Sequence, residues 1–175
     1  MEALSVDELP TGDEWQYEPK WEGFRCIVFR DGDRIELQSK SGQPLNADFP
    51  AVVANIRALG ARKFVLDGEI IAPRLGAGPP LFVAFDMLVT ERATVLVDRM
   101  LVERRGRLET FADRYFSAAG GVRLSPVTRD IDVARQWLTS GKGGIDGVIA
   151  KELESVYRSG ERIGMRKIKA LRTAG

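Results

Sequence analysis

The sequence contains no histidine and only one cysteine, and these shortages narrow the chemistry that the chain can perform. Without histidine there is no Ser-His-Asp or Cys-His nucleophile pair, no HExxH zinc site and no imidazole acid–base catalysis. The single cysteine, Cys26, cannot close an internal disulfide, and its place in the apolar run CIVF predicts a buried core residue. Chemistry must therefore come from carboxylates, lysines, hydroxyls or a metal ion held by oxygen ligands.

The sequence also lacks low-complexity runs and any apolar stretch of membrane-spanning length. Its start, MEALSVDELP, is acidic and has no cationic-then-apolar signal pattern, so we expect a cytoplasmic protein with no membrane partner. The 175 residues suit one globular domain. Residues 1–90 carry 9 basic and 14 acidic side chains, whereas residues 91–175 carry 17 and 11, a bias that would suit a polyanionic partner.

Short apolar runs alternate with a few helical patterns along the chain. Strands are predicted at Trp15–Glu18, Gly23–Arg30, Arg34–Ser39, Lys63–Ala72, Leu81–Val89, Ile145–Lys151 and Gly164–Lys169. Helices are predicted at Asp48–Leu59, Asp98–Arg114 and Asp130–Leu138, the second of them exposed and rich in charge. The connector APRLGAGPP, residues 72–80, favours no regular element. Together these patterns predict an α+β domain of largely antiparallel sheets flanked by helices.

Lysine is scarce, with 7 lysines against 19 arginines, so its positions are informative. Lys20, Lys151, Lys167 and Lys169 all lie beside or within predicted strands. A lysine, unlike an arginine, can give up its proton near neutral pH and act as a nitrogen nucleophile. Several lysines converging on one pocket would also neutralise a chain of phosphates.

Carboxylates and an aromatic residue lie on other predicted strands. Asp67 and Glu69 in LDGE share a strand face at i, i+2 spacing and could meet a metal ion, a ribose hydroxyl or an internal arginine. Phe85 beside Asp86 could be a core residue or a stacking platform for a base. The segment GKGGIDG, residues 141–147, is not a phosphate loop, because it opens a predicted strand rather than a helix.

These residues match a known family. The run KWEGFR, residues 20–25, resembles the Lys-x-Asp-Gly-x-Arg signature of the adenylation (nucleotidyltransferase) domain of ATP-dependent DNA ligases, with small bacterial repair ligases as the nearest likeness. Further motifs follow in the family's order: Ser39-Lys40, LDGE, FVAFDML, DGVIAK and RKIK. The resemblance covers nearly the whole chain and implies the covalent nucleotidyltransferase, ATP-grasp-like fold, with residues 1–175 as the adenylation domain.

The resemblance also implies roles for individual residues. Lys20 is the nucleophile that becomes adenylylated. Glu18 reads the adenine amino group, Arg25 and Lys40 contact the nucleotide, and Phe85 stacks on adenine. Glu69 contacts either the ribose or the metal ion, and Asp146 is a carboxylate on the metal side of the site. Phosphate contacts come from Lys151, Lys167 and Lys169.

The implied reaction uses ATP and Mg²⁺ to form a lysine–AMP intermediate, which then passes AMP to a 5′-phosphate at a nick in duplex DNA for sealing in repair or recombination. The expected location is the bacterial cytoplasm, in association with the nucleoid. Basic residues near the last motif could hold the DNA backbone: Arg158, Arg162, Arg166 and Arg172. Other expected partners are repair proteins and a separate OB-fold domain, since that C-terminal domain of full ligases is expected to be absent here.

The sequence departs from the family pattern at several points. Glu22 replaces the usual Asp, Lys40 replaces an Arg, and the connector between LDGE and FVAF is short. Two alternative functions therefore stay open. One is an RNA ligase or capping-type nucleotidyltransferase; the other is a nucleotide- or DNA-binding module without catalysis.

Overall fold

Residues 1–72, 78–140 and 144–170 are described by the computed structural model, and they form two sheets and three helices. In chain order the elements are β1 (Leu4–Ser5), β2 (Trp15–Trp21), β3 (Phe24–Asp31), β4 (Arg34–Ser39), α1 (Pro50–Ala58), β5 (Lys63–Ile71), β6 (Leu81–Val89), α2 (Leu101–Tyr115), β7 (Val122–Leu124), α3 (Ile131–Ser140), β8 (Ile145–Glu152) and β9 (Met165–Lys169).

The described residues divide into two compact units. The first unit contains Met1–Glu22, Asp98–Val102 and the described residues from Ser125 onward. The second contains the described residues of Gly23–Val97 together with Glu103–Leu124. Each unit holds one of the two sheets.

The first unit is built on a four-stranded sheet with the order β1-β9-β8-β2. β8 pairs antiparallel with both β2 and β9, and the short β1 adds in parallel to β9. One face of this sheet is apolar: Trp15 and Tyr17 of β2 form a core with Ala134 of α3. Because successive side chains of a strand point to opposite faces, Gln16, Glu18 and Lys20 lie on the other face.

The second unit is built on a five-stranded sheet with the order β4-β3-β5-β6-β7, antiparallel except between β6 and β7. Its core lies on one face, where strand residues such as Val28 and Leu66 pack with residues of α1 and α2 such as Ile56 and Phe111. Cys26 belongs to this core and is fully buried, as predicted. Burial raises the pKa of the Cys26 thiol to about 12, with a smaller contribution from the Asp67 carboxylate.

The predicted elements are confirmed, with differences mainly at their ends. β4 and β6 have the predicted bounds, and the other predicted strands and helices are each present with ends shifted by a few residues. The sequence patterns missed β1 and β7, which have two and three residues and are too short to show a period. Of the connector at 72–80, residues 73–77 lie outside the described residues.

The prediction that the second helix is exposed is wrong for one of its faces. α2 begins at Leu101 rather than Asp98, and it buries Leu108 and Phe111 in the core of the second unit. Arg104 is also buried, 1% exposed, because its guanidinium forms two hydrogen bonds of 2.9 Å with the carboxylate of Asp86 on β6. None of the helices in the described ranges is both long enough and apolar enough to cross a membrane.

Candidate active site

The polar face of the first unit's sheet gathers the lysines that the sequence singled out. In the strand register, Lys20 lies opposite Gly147 and Gly147 opposite Lys169. Directly paired residues share a face, as do residues two apart along a strand. This "lysine face" therefore comprises Gln16, Glu18, Lys20, Lys151, Lys167 and Lys169.

Lys20 lies near the end of β2 and contacts a carboxylate from β8. Its Nζ donates to Oδ2 of Asp146 at 2.6 Å, and the two side chains are 22% and 17% exposed. The register slips between Lys20 and Trp21, which pair with Gly147 and Ile145, so Asp146 lies at the irregularity. A bulge of this kind re-aims a side chain. The Lys20 amine is thus oriented by one carboxylate while it remains partly accessible to a reagent.

Glu18 and Lys151 form the buried ion pair of this face. Lys151 Nζ donates to Oε2 of Glu18 at 2.7 Å, and their side chains are only 5% and 3% exposed. The second carboxylate oxygen, Oε1, accepts a hydrogen bond of 2.9 Å from Nε2 of Gln16, which is itself buried. Gln16 was not among the site residues predicted from the sequence, although its position two residues before Glu18 on a predicted strand indicates that the two share a face.

Lys167 and Lys169 lie on β9, at the same face as Lys20. Lys167 is half-buried and pairs in register with Ile149, while Lys169 is exposed and pairs with Gly147. Neither carries a described ion pair with a carboxylate, in contrast to Lys20 and Lys151. The outer part of the lysine face is consequently the more cationic part.

In the second unit, Arg25 and Phe85 form a separate cluster with Asp67. Arg25 donates two hydrogen bonds to Asp67 from one side of its guanidinium, Nε to Oδ1 and Nη2 to Oδ2, each at 2.5 Å. The same guanidinium lies 4.6 Å from the centre of the Phe85 ring. Of the partners left open for Asp67, the internal arginine is the one found. Phe85 lies outside the buried core cluster of this unit.

Glu69 and Lys40 are placed near Arg25 on the second unit's sheet. Glu69 is half-buried and lies directly opposite Arg25 in the β3–β5 register. Lys40 follows β4 and lines, with Arg25 and Phe24, a cavity of about 590 Å³. These residues present two cations and an exposed aromatic ring to whatever enters that cavity.

The two predicted metal ligands, Glu69 and Asp146, lie in different units of the chain. Within the described ranges, no three acidic or thiol side chains come together in a way that could enclose a metal ion. Mg²⁺ usually takes one or two carboxylates plus substrate phosphates rather than a full protein cage. Asp146 and Glu69 each offer one carboxylate, so either residue by itself fits a Mg²⁺ ion that arrives with phosphates.

The predicted DNA-contacting arginines near the last motif have local partners. Arg158 pairs with Asp98, Arg162 pairs with Glu2, and the Arg166 guanidinium lies 5.8 Å from the Trp15 ring. Arg172 lies outside the described residues.

Comparison with known families decides where this arrangement of strands and motifs belongs. The family model described as "ATP dependent DNA ligase domain" matches residues 5–78 and 74–169. The chain belongs to this ATP-dependent DNA ligase family. The two matched segments meet at residues 74–78, inside the short Gly/Pro connector.

Curated relatives of this ligase domain agree with the family match. The chain is 37% identical to DNA ligase C2 of Mycolicibacterium smegmatis and to DNA ligase C of Mycobacterium tuberculosis, over 99% of its own length and 54% of theirs. It thus spans about half the length of the curated relatives that it matches.

Solved structures place the fold of this ligase domain in the same family. The ligase domain of M. tuberculosis LigD matches with a TM-score of 0.72 at 26% identity, covering 95% of this chain and 59% of that chain. A mycobacterial DNA ligase D in complex with ATP and MES gives the same TM-score and identity, with 60% of that chain covered. The predicted α+β adenylation-domain fold is confirmed.

Proposed function

We propose that the chain is the adenylation domain of an ATP-dependent DNA ligase and that Lys20 is the residue that carries AMP. One observation supports this most directly: the Lys20 amine, partly exposed and held by Asp146, lies on the same face of the first unit's sheet as three further lysines. A nitrogen nucleophile among cations suits attack on a phosphorus atom surrounded by negative oxygens.

In the first step, Lys20 Nζ attacks the α-phosphorus of ATP in line with the bond to pyrophosphate. A nitrogen–phosphorus bond forms, the bond to pyrophosphate breaks, and a lysine–AMP phosphoramidate remains. The attacking nitrogen needs its lone pair, so the ammonium proton must leave before or during attack. The Asp146 carboxylate, which accepts a hydrogen bond from Nζ, would receive that proton.

The remaining lysines would stabilise charge on the phosphates. Lys167 and Lys169 lie on the same face as Lys20 and would contact the α-phosphate as its oxygens gain charge. Lys151, held by Glu18, would serve the same phosphate from deeper in the face. Mg²⁺ held by Asp146 or Glu69 together with the phosphates would supply charge neutralisation for the leaving pyrophosphate.

Recognition of the nucleoside follows from the same family resemblance. Glu18 would accept a hydrogen bond from the adenine amino group, Phe85 would stack on the base, and Glu69 would meet the ribose. Arg25 and Lys40 would contact the nucleotide. To accept a hydrogen bond from adenine, the Glu18 carboxylate must stay in one position. Hydrogen bonds from Gln16 and Lys151 hold its two oxygens in place.

The second and third steps would take place on DNA. AMP would move from Lys20 to the 5′-phosphate at a nick in duplex DNA, and the adjacent 3′-hydroxyl would then displace AMP to form the phosphodiester bond. Because this chain covers only 54% of the length of its relatives, we propose that an OB-fold domain and repair proteins act together with this domain. The proposed setting is DNA repair in the bacterial cytoplasm, next to the nucleoid.

The test is covalent labelling of the purified chain with ATP radiolabelled at the α-phosphate, in the presence of Mg²⁺. We expect a label from ATP but not from GTP in the unaltered chain, and none in Lys20→Ala. Lys63→Ala is a matched control, because Lys63 is an exposed lysine of β5 paired with Asp31 away from the motifs. It should label normally.

Two results would contradict the proposal. A label that persists in Lys20→Ala would assign the nucleophile to another residue. A chain that binds ATP tightly but takes no label, alone or with an OB-fold domain supplied in trans, would indicate a binding module without catalysis.

A further inference from the structure

A basic cleft in the second unit plays no part in the proposed nucleotide chemistry. It has a volume of about 400 Å³ and lies between α2 and the loop that follows β6. Arg107, Thr110 and Arg114 line it from α2, and Glu91, Arg92 and Thr94 line it from the loop. None of the proposed catalytic or nucleotide-binding residues belongs to this "arginine cleft".

The loop side of the cleft is held in a fixed conformation. Thr90, which is buried, accepts hydrogen bonds at its Oγ1 from the backbone N–H groups of Arg92 and Thr94, at 3.3 and 3.1 Å. Ala93 adopts a φ of 62°, the left-handed region that residues with a Cβ rarely occupy. The turn that these hydrogen bonds hold places Arg92 at the edge of the cleft.

The charge of the cleft is not balanced by local carboxylates. Three guanidinium groups face one carboxylate, that of Glu91, and none of the three forms an ion pair with a described acidic residue. Arg34 and Arg62, which are also exposed, are instead paired with Glu36 and Asp33. A concentration of unneutralised arginines favours an anion as the ligand.

The spacing of the arginines indicates what kind of anion would fit. Arg107 and Arg114 are seven residues apart on one helix, so their Cα positions are separated by roughly 10 Å along the axis. Guanidinium groups spread over that distance, with Arg92 as a third, can engage several phosphates of one polyanion at the same time. The phosphates of a DNA strand recur about every 3.4 Å along the duplex axis, so roughly four successive phosphates span this distance.

We propose that the arginine cleft binds the sugar–phosphate backbone of the nicked duplex, at a site separate from the residues that hold the nucleotide. This inference rests on the proposed function, which supplies duplex DNA as the substrate. The cleft positions the duplex through its backbone and does not read its sequence.

The test compares DNA binding by the full chain and by a variant in which Arg92, Arg107 and Arg114 are all changed to Gln. Glutamine keeps a polar side chain and is as good a helix former as arginine on α2. Binding of a fluorescein-labelled nicked duplex is followed by anisotropy across a series of KCl concentrations. Removing one arginine–phosphate interaction should flatten the slope of log K against log salt by about 0.9, so we expect a change of up to about 2.7 for three.

A matched control removes the same net charge elsewhere. Arg34, Arg62 and Arg135 are exposed and ion-paired, and changing all three to Gln also lowers the charge by three. The cleft variant should bind the duplex at least about tenfold more weakly at low salt, whereas the control variant should stay close to the unaltered chain. Circular dichroism and thermal unfolding establish that both variants fold.

The proposal is overturned if the two triple variants lose affinity equally, if the cleft variant binds as well as the unaltered chain, or if the unaltered chain does not bind the duplex. Labelling of Lys20 by ATP in the absence of DNA tests the adenylation proposal independently of the arginine cleft. A cleft variant that labels normally but binds DNA weakly supports both ideas. If the unaltered chain never takes a label, but the cleft variant alone loses DNA affinity, the cleft proposal stands and the adenylation proposal is refuted.

Discussion

Changing Lys151 to Met should destabilise the first unit by an amount that can be worked from its hydrogen bonds. The change removes the 2.7 Å ion pair with Glu18, whose side chain is 3% exposed. Removing one partner of a buried pair costs about 3–5 kcal/mol, because the other charge is left buried. Gln16 still donates to Glu18 at 2.9 Å, and a hydrogen bond to a charged group is worth about 1.5–3 kcal/mol. We therefore expect the lower end, about 3 kcal/mol.

The assay is urea unfolding followed by tryptophan fluorescence. Trp15, Trp21 and Trp137 all belong to the first unit, so the signal reports on the part of the chain that contains the pair. A loss of about 3 kcal/mol is a large fraction of the 5–15 kcal/mol that typically holds a domain together. The transition should move to clearly lower urea.

A double variant separates stability from chemistry. With Glu18→Gln added to Lys151→Met, no charge is left buried, and most of the lost stability should return, to within about 1 kcal/mol of the unaltered chain. The double variant should nevertheless fail to take a label from ATP, because both proposed contacts with the nucleotide are gone. The reasoning is refuted if Lys151→Met costs less than about 1 kcal/mol, or if the double variant is no more stable than the single one.

Three further predictions concern the second unit and are checked by circular dichroism or thiol labelling. Arg104→Met should lower the free energy of unfolding by about 3–5 kcal/mol, because it leaves the Asp86 carboxylate buried without its ion pair. Adding Asp86→Leu to Arg104→Met should restore most of this loss. Equal losses in the single and the double variant would contradict this. Because burial raises the pKa of Cys26 to about 12, the native chain should resist a thiol reagent at pH 8 and react promptly in urea. The thiol also makes stability fall as pH rises above about 9, where the unfolded chain loses the proton first. Gly68→Ala should cost about 1–3 kcal/mol, since the added Cβ would overlap the Val83 carbonyl oxygen. An unchanged melting temperature would argue against this packing.

The strands were predictable because their apolar runs are long and bounded by turn residues. Arg34–Ser39 and Leu81–Val89 were predicted with the same bounds that the structure shows. The side on which a residue lies also follows from the alternation along one strand, as for Glu18 and Lys20 on β2. What one strand cannot indicate is which other strand lies beside it.

The partners of the site residues could not be predicted, because the sequence of one strand does not indicate which strand pairs with it. Lys20 and Asp146 are 126 positions apart, and Glu18 and Lys151 are 133 apart, so each ion pair depends on the pairing of β2 with β8. The register shift between Lys20 and Trp21, where Asp146 lies, cannot be predicted from hydrophobic periodicity.

The same limit explains two interpretations in the second unit that the sequence left open or misjudged. Asp67 could have met a metal ion or an arginine, and the choice depends on β3 pairing with β5, which brings Arg25 next to it. The charge of α2 looked like a solvated face, because nothing local shows that Arg104 reaches Asp86. In both cases a buried charge is explained by a partner on another strand or helix.

The lysine face keeps a net positive charge despite its two ion pairs, so it can still attract a chain of phosphates. The face carries Lys20, Lys151, Lys167 and Lys169 against the carboxylates of Glu18 and Asp146, so two positive charges remain. The surplus lies on β9, at the more exposed part of the face, where phosphates would arrive first. The two pairs instead fix the positions of the amines before the nucleotide binds, which lowers the reorganisation needed in the transition state. Removing the surplus with Lys167→Gln and Lys169→Gln should therefore weaken ATP binding and labelling while leaving the unfolding transition nearly unchanged, the reverse of the effect expected for the buried pair.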